Sequence, residues 1–402
     1  MGEAFIFEAL RTPRGLGKSR GALYPVRPVE LLATVLRAMI ERHTLDSAVI
    51  EDVIIGCVTQ SEEQGACIAR WAVLEAGFDP RVPGVTVQRY CASGLQAVNQ
   101  AAAQVAAGHA ELVIAGGVES MSRVRMGADG GAQYDPALQW AVGSVPQGIA
   151  ADLLATWRGI SRQEVDAFAW RSQQRAAAAR AAGHFDRSLV PVCDPNGLPL
   201  LERDEHLRPD TTLERLAQLK PAFAALGRQG ALDALTRRAF PQLEAIDHVH
   251  TAGNASGIVD GAAAVLIGSR ARGEALGLRP RARIVSAVSV GDDPVLMLWG
   301  PVPATRLALA RAGLTLDAID LFEVNEAFAA VPLAYAQEFG LGLDRLNVDG
   351  GAIALGHPLG ATGAMLVGTL LDALERRGLQ RGLVTLCIGG GMGSATIIER
   401  VS

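Results

Sequence analysis

Short apolar runs alternate along this chain with longer stretches whose apolar residues follow helical spacing. Apolar runs predict strands at residues 4–9, 52–58, 111–116, 261–268, 283–290 and 383–388. Helical patterns lie at 29–41 and at 93–107, the second rich in Ala and Gln. Strands in alternation with helices predict an α/β fold with a mainly parallel sheet covered by helices on both faces.

Residues from about 121 to 250 interrupt this alternation. They are richer in Arg, Asp, Gln and Pro than the rest of the chain and contain few strand-like runs. Ser161 and Glu164 have the spacing of a capping box, which predicts a helix that begins there and ends near Gly183. We interpret the region as a mostly helical insertion.

The two ends of the chain resemble each other weakly. Ala-Ser-Gly at 92–94 opens a helix that leads to the apolar run 112–115 and then to two glycines. Gly-Ala-Thr-Gly at 360–363 opens a helix that leads to the run 383–388 and then to three glycines. The repeat predicts two related halves, residues 1–120 plus 251–270 and residues 271–402, with residues 121–250 inserted.

Composition and charge exclude several classes of protein. Hydrophobic residues make up 49% of the 402 residues and charged residues 20%, which argues against global disorder. The formal net charge of -5 gives no electrostatic reason to expect nucleic acid or an anionic membrane as partner. No apolar run has membrane-spanning length and no signal-peptide pattern is present, so we expect a cytoplasmic protein. The five cysteines lack paired spacing and are expected to be free thiols.

Cys91 is the first candidate for a catalytic nucleophile. A β-branched run leads into it and a helical stretch leads away, which places the thiol near a helix N-terminus. We expect the helix dipole to favour the thiolate and to make Cys91 nucleophilic near neutral pH. The small residues Ala92, Ser93 and Gly94 leave room for a substrate carbonyl. The alternative is a buried structural cysteine, the usual role of a free cysteine.

His357 lies in a glycine-rich segment, residues 349–363. Glycines let the backbone turn sharply and come close to a ligand, so a histidine on such a loop is a candidate general base. One alternative is a histidine that ties down the loop. Another is a phosphate cradle, although the segment lacks the Gly-Lys-Ser/Thr ending and the Gly-x-Gly-x-x-Gly spacing.

Cys387 and Asn325 are weaker candidates when each is taken alone. Cys387 falls near the end of a buried strand before three glycines, where sheet enzymes place their sites, but packing is the more common role. Asn325 and Glu326 follow the apolar run around Leu321 and are either a helix cap or polar groups of a site.

Seven motifs, in order along almost the whole chain, together resemble the thiolase family. They are Arg-Thr-Pro at 11–13, Cys-Ala-Ser-Gly at 91–94, Gly-Gly-Val-Glu-Ser-Met-Ser at 116–122, Thr-Ala-Gly-Asn-Ala-Ser-Gly at 251–257, Asn-Glu-Ala-Phe at 325–328, Gly-His-Pro at 356–358 and Cys-Ile-Gly-Gly-Gly at 387–391. The resemblance implies two similar halves in a five-layered αβαβα arrangement, with a loop domain at 121–250 that binds coenzyme A.

The resemblance also implies a role for each candidate. Cys91 matches a nucleophile that becomes acylated, His357 the base that activates it, and Cys387 a second acid/base at the acetyl Cα. Asn325, through a water, and His357 match one oxyanion site, and the N–H groups of Cys91 and Gly389 match the other. Matches to coenzyme A contacts are Arg208, Phe223, Ala252, Gly253, Ser256 and Phe328.

The implied activity is cleavage of a 3-ketoacyl-CoA by coenzyme A through an acyl-Cys91 intermediate. Coenzyme A is then a cosubstrate, and no permanently bound cofactor or metal is expected; His248 and His250 are a possible ligand pair without a clear third ligand. A homodimer or homotetramer is implied. The alternatives are the reverse, biosynthetic condensation to acetoacetyl-CoA, and a non-catalytic thiolase-like protein that binds lipid.

Several positions depart from the family's pattern away from the catalytic motifs. Gln88 and Val259 stand where Asn is frequent, and the loop 144–148 lacks the His-Met-Gly of short-chain biosynthetic thiolases. Residues 224–248 contain an extra stretch, and the Met-Gly-x-Gly-Pro turn reads Met-Leu-Trp-Gly-Pro at 297–301. These departures favour cleavage of a longer or bulkier acyl chain over dedicated acetoacetyl-CoA synthesis.

Overall fold

The computed structural model describes residues 2–229 and 231–401, which form twelve strands and fourteen helices. The strands are β1 (Phe5–Arg11), β2 (Gly15–Leu16), β3 (Asp52–Gly56), β4 (Val85–Val87), β5 (Leu112–Ser120), β6 (Val192–Cys193), β7 (Pro199–Leu201), β8 (Val259–Gly268), β9 (Ala282–Gly291), β10 (Leu321–Val324), β11 (Arg381–Ile388) and β12 (Met392–Arg400). The helices are α1 (Pro28–His43), α2 (Ile68–Glu75), α3 (Ser93–Ala107), α4 (Pro136–Val142), α5 (Gln147–Arg158), α6 (Arg162–Ala181), α7 (Leu213–Ala217), α8 (Ala224–Gln229), α9 (Leu232–Ala239), α10 (Arg270–Ala275), α11 (Pro301–Ala312), α12 (Ala330–Phe339), α13 (Ala352–Leu355) and α14 (Leu359–Arg377). Every strand and helix expected from the apolar pattern is present.

The main sheet runs in the order β10-β11-β12-β9-β1-β8-β5-β3-β4, with β2 paired to β8. The expectation of a mainly parallel sheet is wrong. Only β3–β4, β3–β5 and β10–β11 pair in parallel, and the other strand pairs of this sheet are antiparallel. A strand that is buried on both faces is a continuous apolar run in the sequence whether it pairs in parallel or antiparallel, so the pattern does not reveal the strand direction. The tight glycine turn after β11 makes β12 return antiparallel to it.

The helices divide the molecule into five layers, which confirms the expected fold class. Helices α3 and α14 lie side by side in the middle, against β5 and β8 on one side and β11 and β12 on the other. Helices α1 and α2 cover the outer face of the first half of the sheet, and α11 covers that of the second. The middle layer is apolar: Leu95 and Val98 of α3 and Leu370 and Leu371 of α14 are fully buried.

The regular secondary structure between β5 and β8 is mainly helical, as the composition of this region predicts, although connecting loops make up more than half of it. It holds the helices α4 to α9 and one short hairpin, β6–β7. Ser161 caps α6 in a capping box with Glu164, and the helix ends at Ala181, close to the expected Gly183. The local hydrogen bonds of the cap explain why the sequence alone located this helix well.

Glycines bring the N-termini of the two central helices into backbone contact. A Cβ at Gly94 of α3 would lie 2.6 Å from the carbonyl oxygen of Gly360 of α14, and one at Gly363 would lie 2.2 Å from the nitrogen of Leu95. Gly117 lies inside β5, although the sequence pattern placed it after the strand, and a Cβ there would lie 1.9 Å from the same Gly360 oxygen. Cys91 and His357 lie within three residues of the starts of α3 and α14, respectively. The contact between the two helix starts therefore decides where these two groups lie relative to each other.

Two expectations about the whole chain have structural counterparts. All five cysteines are free thiols: Cys57, Cys91 and Cys387 are buried, and Cys67 and Cys193 are exposed. Within the two described ranges, no helix combines the length and the apolar character that a membrane crossing requires.

Candidate active site

Cys91 lies in the sharp turn between β4 and α3. Tyr90 before it has a φ of 43°, in the left-handed region that a bulky side chain rarely adopts. The Ser93 hydroxyl fixes the turn: its Oγ accepts from the Arg89 N–H at 2.8 Å and donates to the Tyr90 carbonyl at 2.6 Å. The strained turn holds the Cys91 side chain at the start of α3, and 95% of the residue is buried there.

The Cys91 thiol is less acidic than the sequence predicts. Burial raises its pKa to about 11, because desolvation outweighs the hydrogen bonds from the Gln147 side chain and from the N–H groups of Cys91 and Gly389. The Glu119 charge raises it further. The expectation of a thiolate near neutral pH from the helix terminus alone is therefore wrong, and a neighbouring base has to remove the proton.

His357 is placed to act as that base. It lies in the loop between α13 and α14, and its Nδ1 is 2.6 Å from the Thr362 Oγ1. The Thr362 hydroxyl donates its single hydrogen to the Pro358 carbonyl at 2.9 Å, so it accepts from Nδ1–H and leaves a lone pair on Nε2. Burial and the Arg14 charge lower the His357 pKa to about 3, so the imidazole is neutral at pH 7.

Asn325 lies on the Nε2 side of His357. Its Nδ2 is 3.3 Å from Nε2, and its backbone N–H donates to the Thr385 carbonyl at 3.0 Å, which fixes the end of β10 against β11. Among the described residues its Oδ1 is buried without a hydrogen-bond partner. A buried amide with one free polar atom beside a base is suited to orient a ligand.

Cys387 and Gly389 approach Cys91 from the second half of the sheet. Cys387 is fully buried near the end of β11, paired with Gly393 of β12. Its pKa is raised, first by burial and then by the Cys91 charge. The N–H groups of Gly389 and of Cys91 itself lie close enough to the Cys91 sulfur to lower its pKa, so both are available to a charge that develops there. The structure thus brings the two thiols close together. The contact between Gly94 and Gly360 at the starts of α3 and α14 places the His357 loop next to the Cys91 turn.

Two buried glutamates hold the loops that carry these groups. The Glu119 carboxylate accepts from the Gly360 N–H at 2.9 Å, at the start of α14, and from the N–H groups of Val58 and Thr59. The Glu326 carboxylate accepts from the Ile353 N–H at 3.1 Å and from the Ser172 and Asn347 side chains. Burial raises the pKa of both carboxyls. Glu326 is therefore a brace for the loop before His357.

The predicted coenzyme A contacts fall into two neighbouring groups. Arg208, Ala252 and Gly253 line one cavity of about 280 Å³, with the cation of Arg215 at its rim. The rings of Phe223 and Phe328 meet edge to face with centroids 5.9 Å apart. Ser256 joins the segments of both groups, because its backbone N–H donates to the Ala327 carbonyl at 2.9 Å.

Sequence reasoning missed three residues of the site. Gln147 hydrogen-bonds the Cys91 thiol across about fifty residues of chain, Thr362 sets the His357 tautomer, and Glu119 binds the start of α14. Thr362 carried a usable signal, since it lies one helical turn beyond the histidine. The other two contacts depend on tertiary packing alone. Among the described residues, no group of three or more His, Cys, Asp or Glu side chains could hold a metal ion.

Comparison with known proteins accounts for this arrangement. Residues 4–236 match the family model "Thiolase, N-terminal domain" and residues 278–400 match "Thiolase, C-terminal domain". A protein of Cronobacter sakazakii described as 3-ketoacyl-CoA thiolase is 44% identical over 410 residues, and one of Yersinia pestis with the same description is 45% identical over 412 residues; all of each chain is covered.

Solved structures agree over the full length. The acetyl-CoA acetyltransferase of Bacillus anthracis has a TM-score of 0.86 at 38% identity, and human mitochondrial 3-ketoacyl-CoA thiolase has a TM-score of 0.85 at 36% identity. Each comparison covers 100% of this chain and 99% of the other. The chain belongs to the thiolase family.

Proposed function

We propose that this protein is a 3-ketoacyl-CoA thiolase, an acyltransferase that cleaves a 3-ketoacyl-CoA with coenzyme A. The observation that carries the proposal is the proximity of the buried Cys91 and Cys387 thiols, with the neutral His357 on the loop that leads into α14, whose start contacts the start of α3. The full-length relatives described as 3-ketoacyl-CoA thiolase support the same reaction. The presence of all three groups weighs against a non-catalytic lipid-binding protein.

In the first half of the reaction, Cys91 takes the acyl group. His357 Nε2 removes the Cys91 proton, and the thiolate attacks the C3 ketone, whose oxygen is met by N–H donors. The C2–C3 bond then breaks, which leaves acyl-Cys91 and the enolate of acetyl-CoA. Cys387 donates its proton to C2, and acetyl-CoA departs.

In the second half, coenzyme A takes the acyl group from Cys91. The Cys387 thiolate removes the proton of the incoming coenzyme A thiol, which attacks the acyl-Cys91 thioester. The Cys91 thiolate leaves and regains its proton from the His357 imidazolium, so all groups return to their starting states. The order of events gives ping-pong kinetics.

The cavity at Arg208, Ala252 and Gly253 is the proposed binding site of coenzyme A, with Phe223, Ser256 and Phe328 beside it. A cation at its rim suits the phosphates of the cosubstrate. This assigns coenzyme A binding to residues 121–250 and the segment after them, and catalysis to the halves at 1–120 plus 251–270 and 271–402. We further propose a homodimer or homotetramer that serves fatty-acid or related catabolism in the cytoplasm.

The substrate is proposed to be longer or bulkier than acetoacetyl-CoA. Gln147 lies beside Cys91 and belongs to the segment 144–148, which differs from short-chain biosynthetic thiolases. Trp299, from the altered turn, packs edge to face on Trp157 with ring centroids 5.1 Å apart. We propose that both departures reshape the acyl pocket, while the catalytic residues match the family's motifs.

The test is the mass of the intact protein after mixing with 3-ketoacyl-CoAs of different length and branching. Wild type should gain one acyl group, and Cys91→Ser should gain none on a fast time scale while keeping its fold. Turnover on acetoacetyl-CoA should be lower than on longer or branched substrates. Absence of an acyl adduct contradicts the thiolase proposal, and a clear preference for acetoacetyl-CoA contradicts the substrate proposal alone.

A further inference from the structure

A buried network of one aspartate and two histidines lies beside the proposed coenzyme A site and takes no part in the reaction described above. Asp152 of α5 is fully buried. Its Oδ1 accepts from the backbone N–H of His250 at 3.0 Å and from the His250 Nδ1 at 2.7 Å, and its Oδ2 faces the His248 Nδ1 at 2.8 Å. An ionised carboxylate only accepts hydrogen bonds, so both Nδ1 atoms carry a hydrogen.

His250 connects three segments of the proposed coenzyme A site. Its carbonyl accepts from the Ala222 N–H at 2.8 Å, next to Phe223. Its ring meets that of Phe328 edge to face, with centroids 5.3 Å apart. Along the chain it is two residues before Ala252, which lines the cavity. His250 is fully buried, and among the described residues its Nε2 has no hydrogen-bond partner.

His248 fastens the extra stretch 224–248 to the same aspartate. Its Nε2 is 3.2 Å from the Asp233 Oδ2 in the first turn of α9, so both ring nitrogens face carboxylate oxygens. The backbone of α8 closes over the pair: a Cβ at Gly227 would lie 2.3 Å from the Asp233 Oδ1 and 2.7 Å from the His248 ring. The stretch is thereby held against α5.

We propose that His250, fixed by Asp152, is a positioning residue that holds Phe328 and the Phe223 segment in place for coenzyme A. The inference rests on the proposed function. Without the His250 ring, Phe328 loses one edge-to-face neighbour, and the segment before Ala252 loses one of its hydrogen bonds to Asp152 of α5. Ordering these groups then has to accompany binding, which weakens affinity without changing the catalytic groups.

The test is calorimetric binding of coenzyme A to wild type and to His250→Val, combined with steady-state kinetics. The variant should bind coenzyme A about fivefold more weakly, a loss of the size that one aromatic pair contributes. Its KM for coenzyme A should rise, while its kcat should change less than about twofold. Thr305→Val is the matched control, because it removes a buried hydrogen bond of 3.0 Å to Tyr335 at a distance from the site and should leave the affinity unchanged.

His250→Asn separates the ring from the hydrogen bond. Its amide can still donate to Asp152, which should keep the melting temperature near that of wild type, but it lacks the ring that meets Phe328. It should bind coenzyme A as weakly as His250→Val. Wild-type affinity in His250→Asn, or no binding of coenzyme A to the wild type, overturns the inference. Acylation of Cys91 by a 3-ketoacyl-CoA is measured separately, so a failure here is distinguishable from a failure of the proposed function.

Discussion

At the scale of single residues, the two groups proposed to react first, the Cys91 thiol and the His357 imidazole, are both neutral in the resting protein. The Cys91 pKa of about 11 and the His357 pKa of about 3 mean that neither group is charged at pH 7 in the resting protein. Burial is the first cause of both shifts, since it disfavours the thiolate and the imidazolium alike. In the proposed mechanism, nucleophilicity therefore comes from proton transfer from Cys91 to His357 at the moment of reaction, and not from a thiolate already present.

This difference gives a prediction for the rate of Cys91 alkylation. In His357→Asn the base is gone, and iodoacetamide reacts with the thiolate alone. Since the Cys91 pKa is about 11, its alkylation rate should rise about tenfold for each pH unit between about 7 and 10. Peptide mass mapping of alkylated Cys91 measures that rate, and the exposed Cys67 serves as an internal control in the same digest. A rate in the variant that is independent of pH would contradict the raised pKa of Cys91.

At the scale of elements, the site depends on how closely α3 and α14 approach. Each helix begins within three residues of a proposed catalytic group, and glycines let the two N-termini meet through their backbones. The sequence reveals the glycines and the helices but not this contact, because Gly94 and Gly360 are far apart along the chain. Helix packing therefore turns two separate motifs into one site.

Gly94→Ala should disturb that contact. The added Cβ would lie 2.6 Å from the Gly360 carbonyl oxygen, so the helices must move apart at a cost of about 1–3 kcal/mol in the free energy of unfolding. We expect kcat to fall about a hundredfold, because a small displacement separates the proposed nucleophile from its base. Urea unfolding and steady-state kinetics measure the two effects.

Gly291→Ala is the control for this substitution. Gly291 ends β9, its φ is not positive, and nothing lies within 4 Å of the position of a Cβ there. The control should change the free energy of unfolding by less than about 0.5 kcal/mol. Equal effects of the two substitutions would show that the glycine contact between the helices does not position the site.

At the scale of the whole molecule, the two halves of the sheet meet, in the described part of the chain, through two residue pairs. Strand β1 pairs with β9 at Phe5 with Arg283 and at Ile6 with Ala282. Next to this short join, the buried Arg281 guanidinium forms ion pairs with Glu8 at 2.7 Å, Asp372 at 2.5 Å and Glu375 at 2.7 Å. This cluster connects β1, the start of β9 and the end of α14, and so compensates for the few backbone hydrogen bonds across the join.

Arg281→Met should destabilise the protein strongly. The substitution leaves buried carboxylates without their cation, which costs about 3–5 kcal/mol. Arg283→Met is the control, since its ion pairs with Glu3 and Glu399 involve a side chain that is 38% exposed, and its loss should cost less than about 1 kcal/mol. Chemical unfolding of both variants measures the difference. Similar losses would contradict the role of the buried cluster in joining the halves.

The sequence by itself determined six of the strands and several of the helices, the capping box of α6, the family and the identity of the candidate groups. These follow from local apolar periodicity, side-chain capping and motifs whose residues are contiguous. The direction of the strands, the raised Cys91 pKa and the contacts of Gln147, Glu119 and His250 were decided only by the tertiary structure. Burial and long-range packing set them, and both depend on which distant segments are brought together.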